Sequence, residues 1–390
     1  MEGNGVKRGV FAYTLCIYAA MWLLSAIHSA EGILQTATID FFALSDSVKG
    51  LPSGTVSAFA VVAFVLVLVL VGRMRKSTML ILGLALGALS LCAMLLKLSF
   101  GTFMVLMAGT GLATGIIDAL NSCIISELYP GKASYMCLLH SMYGLSGLAM
   151  PFVFRALLTN AALSWRFSYF LVGLLTLAAC VMTILTVRRS RDAYETAPVP
   201  SERVTLASVR EILTERRLLP VALSLLFVGM YYNGMQVWSS RFIQFGHNGE
   251  EYLNFVMPAI ALGITVSRLL MSLFPLDMYR LIKILPLLAA GALFAATQTA
   301  SPVAALILLF VSTFFFGPCI PLGLTIGGTL VEKHRFAVTV LLMLLLLGGQ
   351  AAISPVIGLA ENRWGINAAM NIPTGVITLG WLFALRIKRV

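Results

Sequence analysis

Long apolar stretches alternate with short polar breaks along nearly the whole chain. Runs such as 61–71, 170–187 and 341–347 are predominantly apolar on every face. Their flanks extend them toward the ~20 residues that a helix needs to cross a bilayer. A helix that is apolar all round is buried in lipid or in a large protein. The pattern therefore predicts membrane-spanning α-helices.

The breaks between these stretches predict about twelve spans. Glycine and proline mark several of the connections, as at 50–52, 129–131 and 301–302, where they favour turns over helix. The predicted spans cover residues 9–42, 53–72, 78–98, 102–128, 134–158, 165–187, 218–240, 252–274, 284–299, 302–330, 337–358 and 366–385.

The one long connection, 188–217, divides the predicted spans into two sets of six. Its second part, 205–213, has the period of a short amphipathic helix, with Leu206, Val209 and Leu213 on one face, and we expect it to lie on the membrane surface. The predicted organisation is a six-helix bundle over 1–187, a cytoplasmic linker over 188–217 and a second six-helix bundle over 218–390. Two similar halves are typical of transporters built from repeats.

Composition supports an all-α integral membrane protein. Of the 390 residues, 59% are hydrophobic and 11% are charged, whereas a soluble domain carries about 25% charged residues. Six cysteines all fall inside predicted spans without a metal-ligand spacing. We therefore expect no disulfide framework, no metal and no cofactor.

The net charge of +11 is arranged as topology-setting charge. The basic residues form short clusters between apolar runs, twenty on one side of the predicted spans and six on the other, with Arg268 inside a span. Because lysine and arginine are enriched in cytoplasmic loops, both termini and the linker are predicted to be cytoplasmic. We expect no nucleic-acid partner. Short loops without an Asn-x-Ser/Thr acceptor fit a bacterial inner membrane.

Two carboxylates, Glu31 and Asp118, lie inside predicted spans rather than in loops or at span ends. A charge near the bilayer centre costs ~2.5–3.5 kcal/mol on insertion scales, so such residues usually face the protein interior and are functional. Desolvation disfavours the anionic form of a carboxyl group. Both residues are therefore candidates for reversible proton binding.

Glu31 shares one helix face with His28 and Gln35, which stand three residues before it and four after it. This polar stripe makes Glu31 a candidate proton or solute site, and His28 and Gln35 candidate solute contacts. The alternative is a solvated residue near the outer interface, because Glu31 lies roughly 35 Å along a straight helix from Arg8.

Asp118 and Asn121 share a face of span four, and Gly111 and Gly115 would let another helix approach closely. Asp118 is either a second titrating group or a structural carboxylate, and Asn121 is a candidate solute contact. In span five, His140 could relay protons or serve as a hydrogen-bonded helix contact. Tyr143, one turn on, is a further candidate for solute binding.

Amide and aromatic side chains concentrate in span seven. Amides can bond hydroxyl groups and aromatic rings can pack on the apolar faces of sugars, so the cluster suits a neutral polyhydroxy ligand. Trp238 could equally be an interfacial residue. The candidates are Tyr231, Tyr232, Asn233, Gln236 and Trp238, with Gln350 in span eleven.

Several motifs together resemble the major facilitator superfamily, and in particular its fucose–proton symporter-like branch. The basic segment 72–76 is similar to a shortened form of the superfamily signature between spans two and three, without its usual acidic residue. Further similar segments are 115–121, 139–147 with Pro151, Trp165-Arg166, 227–229 with Trp238, 263–268 and 317–321. Two positions depart from the branch: Asp118 precedes Asn121 by three residues instead of four, and Tyr231 stands where a glutamate is common.

The resemblance implies the twelve-helix fold of two bundles with a central cavity and alternating access. It also implies that Glu31 matches an acidic site in span one to within about one position. By the same resemblance, Arg268 is a gating or structural charge, with Asp277 as a candidate partner. Arg73, Arg75 and Lys76 would serve topology and the conformational switch.

The residues predict a secondary transporter that couples a small polar solute, such as a sugar, to protons. A drug–proton antiporter is the alternative within the same superfamily. A membrane enzyme or sensor is disfavoured because the chain has no HExxH, P-loop or nucleophile-elbow motif. The expected partners are a small solute, protons and membrane lipids, and the expected state is a monomer.

Overall fold

The computed structural model describes residues 2–45, 48–96, 99–159, 164–189, 203–274 and 277–389. Within these ranges the chain forms α-helices and no β-strand. Twelve helical segments in the described part are long and apolar enough to cross a membrane, which confirms the predicted number. The protein is therefore a multi-pass membrane protein.

The first six spans are single helices, of which the first extends well beyond the apolar segment 9–35. They are α1 (Glu2–Phe42), α2 (Leu51–Leu70), α3 (Lys76–Cys92), α4 (Phe100–Leu128), α5 (Ala133–Thr159) and α6 (Trp165–Arg189).

The second set of spans contains more breaks. Span ten bends at Gly317-Pro318 into two helices, and span twelve begins with a single short turn. The linker helix is α7 (Leu206–Thr214), and the spans that follow are α8 (Leu218–Arg241), α9 (Leu253–Leu273), α10 (Met278–Gln298), α11 (Pro302–Phe316), α12 (Cys319–Leu330), α13 (Arg335–Trp364), α14 (Ile366–Ala369) and α15 (Asn371–Ala384).

The predicted start of span nine and the predicted end of span eleven each differ from the observed helix by about six residues. α10 begins at Met278 rather than near 284, because the Asp277 carboxylate accepts hydrogen bonds from the amides of Tyr279 and Arg280 and caps the helix early. α13 continues to Trp364 rather than ending near 358. Its polar last turn is held by an ion pair of 2.6 Å between Glu361 and Arg241.

The linker helix α7 forms at the predicted residues, and the protein buries one side of it. Ile212 is 1% exposed, whereas Leu213 is 75% exposed. Glu211 contacts both His334 and Lys333, at 3.1 Å each, and these hydrogen bonds lower the pKa of its carboxyl group. The preceding linker segment 190–202, with Arg191, Pro198 and Pro200, lies outside the described residues.

The helices group into two compact units. The first comprises 1–128 and 145–205, and the second comprises 129–144 and 206–390. The start of α5 therefore groups with the second unit, although the sequence predicts a bundle boundary at 187. The two-bundle organisation itself stays a prediction.

Each unit contains helix pairs that approach through glycine. In the first unit, a Cβ on Gly115 would overlap the Ala60 carbonyl of α2. In the second, Gly229 of α8 faces the Leu346 carbonyl of α13, and Gly349 of α13 faces the Leu226 carbonyl of α8. These contacts explain why α2 packs on α4 and α8 packs on α13 with little space between backbones.

Candidate functional site

Glu31 and Gln35 of α1 line one small cavity in the first unit. The volume of this cavity is about 20 Å³, enough for about one water molecule. The cavity has no room for a sugar, but it has room for a water molecule, which can carry a proton. The lining residues are Glu31, Gln35, Thr38, Ile39, Lys49, Pro52, Ser53, Phe103, Met107 and Tyr169.

The Glu31 carboxyl group has an oxygen that is sealed from solvent. Its Oε1 atom is buried and has no hydrogen-bond donor among the described residues. An ionised carboxylate oxygen without a donor is costly in an apolar setting. The group lies about 33 Å along α1 from Gly9, in the last turn of the apolar segment 9–35, so its burial comes from the surrounding helices rather than from depth in the bilayer.

The sequence did not single out three of the polar residues that share this cavity with Glu31. Thr38 stands seven residues after Glu31 on the same helix face, so the stripe that identified Gln35 could have been extended to it. Tyr169 of α6 is 1% exposed and Lys49 follows α1 in a connection. Neither carries a local sequence signal, because only tertiary packing brings these elements to α1.

His28 lies on the same helix but does not line the cavity. Asp118 of α4 is likewise absent from its lining, is partly buried and has no hydrogen-bond donor or ion-pair partner among the described residues. Asn121 is fully buried, with its Nδ2 atom 4.0 Å from the Met21 sulfur and its Oδ1 without a donor in the described part. The structure therefore does not join Asp118 to the cavity that Glu31 lines.

In the second unit, His140 of α5 and Arg268 of α9 lie together. Arg268 is 5% exposed, and its guanidinium donates from Nε to the Gly317 carbonyl at 2.7 Å and from Nη1 to the His140 carbonyl at 3.3 Å. α5 and α9 approach closely here. A Cβ on Gly144 would overlap the Thr265 hydroxyl, so a residue without a side chain stands at this contact. Tyr143, one residue before Gly144, is close enough to Arg268 to interact electrostatically with it.

The candidate partner of Arg268, Asp277, is not its partner. The Asp277 carboxylate caps α10 and lies 3.8 Å from Arg389. Arg268 instead binds backbone carbonyl groups, which carry partial charge only.

Some polar residues of α8 form hydrogen bonds with neighbouring helices, and others are only partly buried. The Tyr231 hydroxyl donates to Ser312 at 2.6 Å, because the Ser312 hydroxyl itself donates to the Ala289 carbonyl. The Asn233 Oδ1 atom accepts from Ser354 at 2.8 Å. The ring of Tyr232 stacks on Phe316 with centroids 6.0 Å apart. Tyr231 and Asn233 thus tie α8 to α11 and α13.

Three further candidates keep side chains that are only partly buried. Gln236, Trp238 and Gln350 are half-buried, and the Trp238 ring lies next to the backbone of Gly358 in α13. The Trp238 indole Nε1 is buried without an acceptor among the described residues. These residues retain hydrogen-bonding capacity that internal contacts do not use.

The basic residues after α2 have separate environments. The Lys76 ammonium contacts both carboxylate oxygens of Glu127, at the end of α4, at 2.9 and 3.0 Å. Arg73 is exposed and Arg75 is partly buried. The described residues contain no group of three His, Cys, Asp or Glu side chains that could hold a metal ion.

Comparison with known proteins identifies the family. The family model described as Major Facilitator Superfamily matches residues 10–355. A TsgA homolog of Buchnera aphidicola subsp. Baizongia pistaciae is 28% identical over 111 residues, which is 28% of each protein. The match to this curated relative thus spans only about a quarter of its length.

Solved structures of the same fold are similar over nearly the whole chain. The Escherichia coli fucose:proton symporter FucP superposes with a TM-score of 0.73 at 14% identity, covering 97% of this chain and 98% of that one. The human organic anion transporter MFSD10 superposes with a TM-score of 0.72 at 14% identity, covering 97% and 99%. These likenesses show the fold, which hosts different substrates in the two proteins. The chain belongs to the major facilitator superfamily, a family of transporters.

Proposed function

We propose that the chain is a secondary active transporter that moves a small polar solute, such as a sugar, in symport with protons by alternating access. The observation that carries this proposal is the Glu31 carboxyl group, whose Oε1 is buried at a small cavity without a donor among the described residues. Such a group binds and releases a proton when its surroundings open and close.

Similarity of the fold to a fucose:proton symporter supports this choice of solute class and coupling. In the second unit, the half-buried Tyr232, Gln236, Trp238 and Gln350 supply stacking and amide groups suited to hydroxyl-rich ligands. His28, Gln35, Asn121 and Tyr143 stay as proposed contacts, and Asp118 and His140 as proposed coupling residues. The two bundles over 1–187 and 218–390 would move about the solute site.

We place the protein in a bacterial inner membrane as a monomer, with both termini in the cytoplasm. The antiport of lipophilic drugs with protons is the second candidate. The chain contains 18 methionines and 23 phenylalanines, and adaptable side chains of this kind fit a wide ligand range. The buried carboxyl group is needed by both mechanisms.

Substitution Glu31→Gln tests the proposal. Purified protein is placed in proteoliposomes that contain a pH-indicator dye, and a panel of monosaccharides that includes fucose and xylose is added. We expect at least one sugar to drive proton movement in the unsubstituted protein. Glu31→Gln should abolish this movement and uphill uptake while it preserves exchange of the same labelled sugar, because a neutral amide cannot carry the proton.

Glu361→Gln is the matched control, because Glu361 is a carboxylate that has a cationic partner in Arg241. It should retain proton-coupled uptake. Undiminished proton movement in Glu31→Gln would remove Glu31 from the mechanism. Proton movement driven by tetraphenylphosphonium and by none of the sugars would favour the antiporter.

A further inference from the structure

A second cavity lies between the start of α3 and the end of α6, away from Glu31. Its volume is about 400 Å³, and it is lined by Arg75, Ser77, Thr78, Ile81, Ile184, Val187 and Arg188. All of these residues belong to the first unit. The cavity is therefore a feature of that unit alone.

Among the described residues, the charge of this cavity is positive and has no acidic partner. Arg75 and Arg188 both line it, the lining contains no carboxylate, and neither arginine forms an ion pair with a described residue. The adjacent Lys76 is already paired with Glu127. Two arginines that face one cavity without an acidic partner favour an anionic occupant.

The backbone at the start of α3 adds to this preference. Arg75 is the N-cap residue and its side chain makes no capping hydrogen bond, and the first turn contains no acidic residue. The first amide groups of a helix lack partners within the helix, and they favour phosphate. The hydroxyl groups of Ser77 and Thr78 lie at the same end.

Polarity changes along the cavity in the direction of the helix axes. Ile81 lies six residues into the span from Arg75, about 9 Å deeper, and Ile184 lies four residues before Arg188, about 6 Å deeper. The floor where α3 and α6 meet is closed by a contact of 3.6 Å between the Cys180 sulfur and the Ile81 carbonyl. The cavity is basic at the helix ends and apolar toward the span centres, which is the polarity of a phospholipid.

We propose that this cavity, the α3–α6 cavity, binds the phosphate headgroup of an anionic phospholipid, with the acyl chains against Ile81, Ile184 and Val187. Basic pockets between membrane helices are suited to such headgroups. A free phosphate ion would use the same arginines but would leave the apolar part of the cavity uncovered.

Paired substitutions with equal loss of charge test the site. The variant Arg75→Gln/Arg188→Gln removes the two cavity arginines, whereas the control Arg73→Gln/Arg189→Gln removes their exposed neighbours, which do not line the cavity. The full-length protein is titrated in detergent with dioleoylphosphatidylglycerol or dioleoylphosphatidylcholine, and thermal stabilisation and retained lipid in native mass spectrometry are measured.

Phosphatidylglycerol should stabilise the unsubstituted protein and the control, and phosphatidylcholine should not. The cavity variant should require about ten- to thirty-fold more phosphatidylglycerol for half-maximal stabilisation, since each basic residue contributes about one kcal/mol to anionic-lipid binding. Equal weakening in both double variants would overturn the proposal, as would equal stabilisation by both lipids. Stabilisation by inorganic phosphate or glycerol phosphate at similar concentration would assign the site to a free anion. If the cavity variant does not fold, the single variants Arg188→Gln and Arg189→Gln give the same comparison.

Discussion

Arg268 lies next to the Gly317 carbonyl, which lacks its usual donor within the helix. The Gly317 carbonyl would bond the amide four residues on, but that residue is Pro321, which has no N–H group. The Arg268 guanidinium bonds this carbonyl at 2.7 Å. A buried cation and an orphaned acceptor thus satisfy one another at the bend between α11 and α12.

This relation predicts a coupling between two substitutions. Arg268→Gln should lower the free energy of unfolding by about 2–3 kcal/mol, because it removes a charged donor and leaves the carbonyl unsatisfied. Pro321→Ala restores an amide at that position, so the same Arg268→Gln change should cost about 1 kcal/mol less in the Pro321→Ala background. Thermal or denaturant unfolding of the four proteins in a double-mutant cycle measures the difference. Strictly additive effects would show that the carbonyl does not depend on Arg268.

At the scale of elements, helix packing depends on which side of a helix presents glycine. α13 carries two adjacent glycines with opposite environments. Gly349 is buried against the Leu226 carbonyl of α8, whereas Gly348 is exposed with no atom within 4 Å of an added Cβ. The two positions differ by about 100° around the helix, so only one of them is part of the interface.

We predict opposite effects of the same methyl group at these two positions. Gly349→Ala should lower the free energy of unfolding by about 1–3 kcal/mol, because the backbones of α8 and α13 must separate. Gly348→Ala should be neutral or should raise it by up to about 1 kcal/mol through helix propensity. Melting temperatures of the purified variants in detergent compare the two. A similar loss in both would mean that α8 and α13 are not held at this distance by Gly349.

At the scale of the whole molecule, topology follows from the distribution of charge over an even number of spans. The described residues contain twelve span-length helices, and lysine and arginine concentrate on the side that carries both termini. Because loops rich in lysine and arginine are enriched on the cytoplasmic side, we predict that this side is cytoplasmic and that the connection after α5 faces the opposite compartment.

Reporter fusions measure this orientation. Green fluorescent protein after Val390 should fluoresce and alkaline phosphatase there should be inactive, because both termini are proposed to be cytoplasmic. Alkaline phosphatase fused after Ser164, between spans five and six, should be active. The reverse pattern at both sites would invert the predicted topology.

The sequence alone determined the membrane class, the number of spans and the stripe that contains Glu31 and Gln35. Those features depend on hydrophobicity and on helical periodicity, which are local properties of the chain. The sequence prediction placed the start of α10 too late, because polar residues follow Asp277. The Asp277 cap nevertheless starts the helix at Met278. The resemblance to the superfamily came from short motifs in order along the chain, and the family match confirms it.

Tertiary structure alone decided which polar residues meet. Tyr169 and Lys49 join Glu31 at one cavity, Asp118 does not, and Arg268 bonds two backbone carbonyls instead of Asp277. Arg75 of the α3 N-cap and Arg188 of α6 line one cavity. The sequence does not predict this, because the two arginines are 113 positions apart. Apolar spans pack in many arrangements of similar hydrophobic energy, so close contacts at glycines and the satisfaction of buried polar groups select among them.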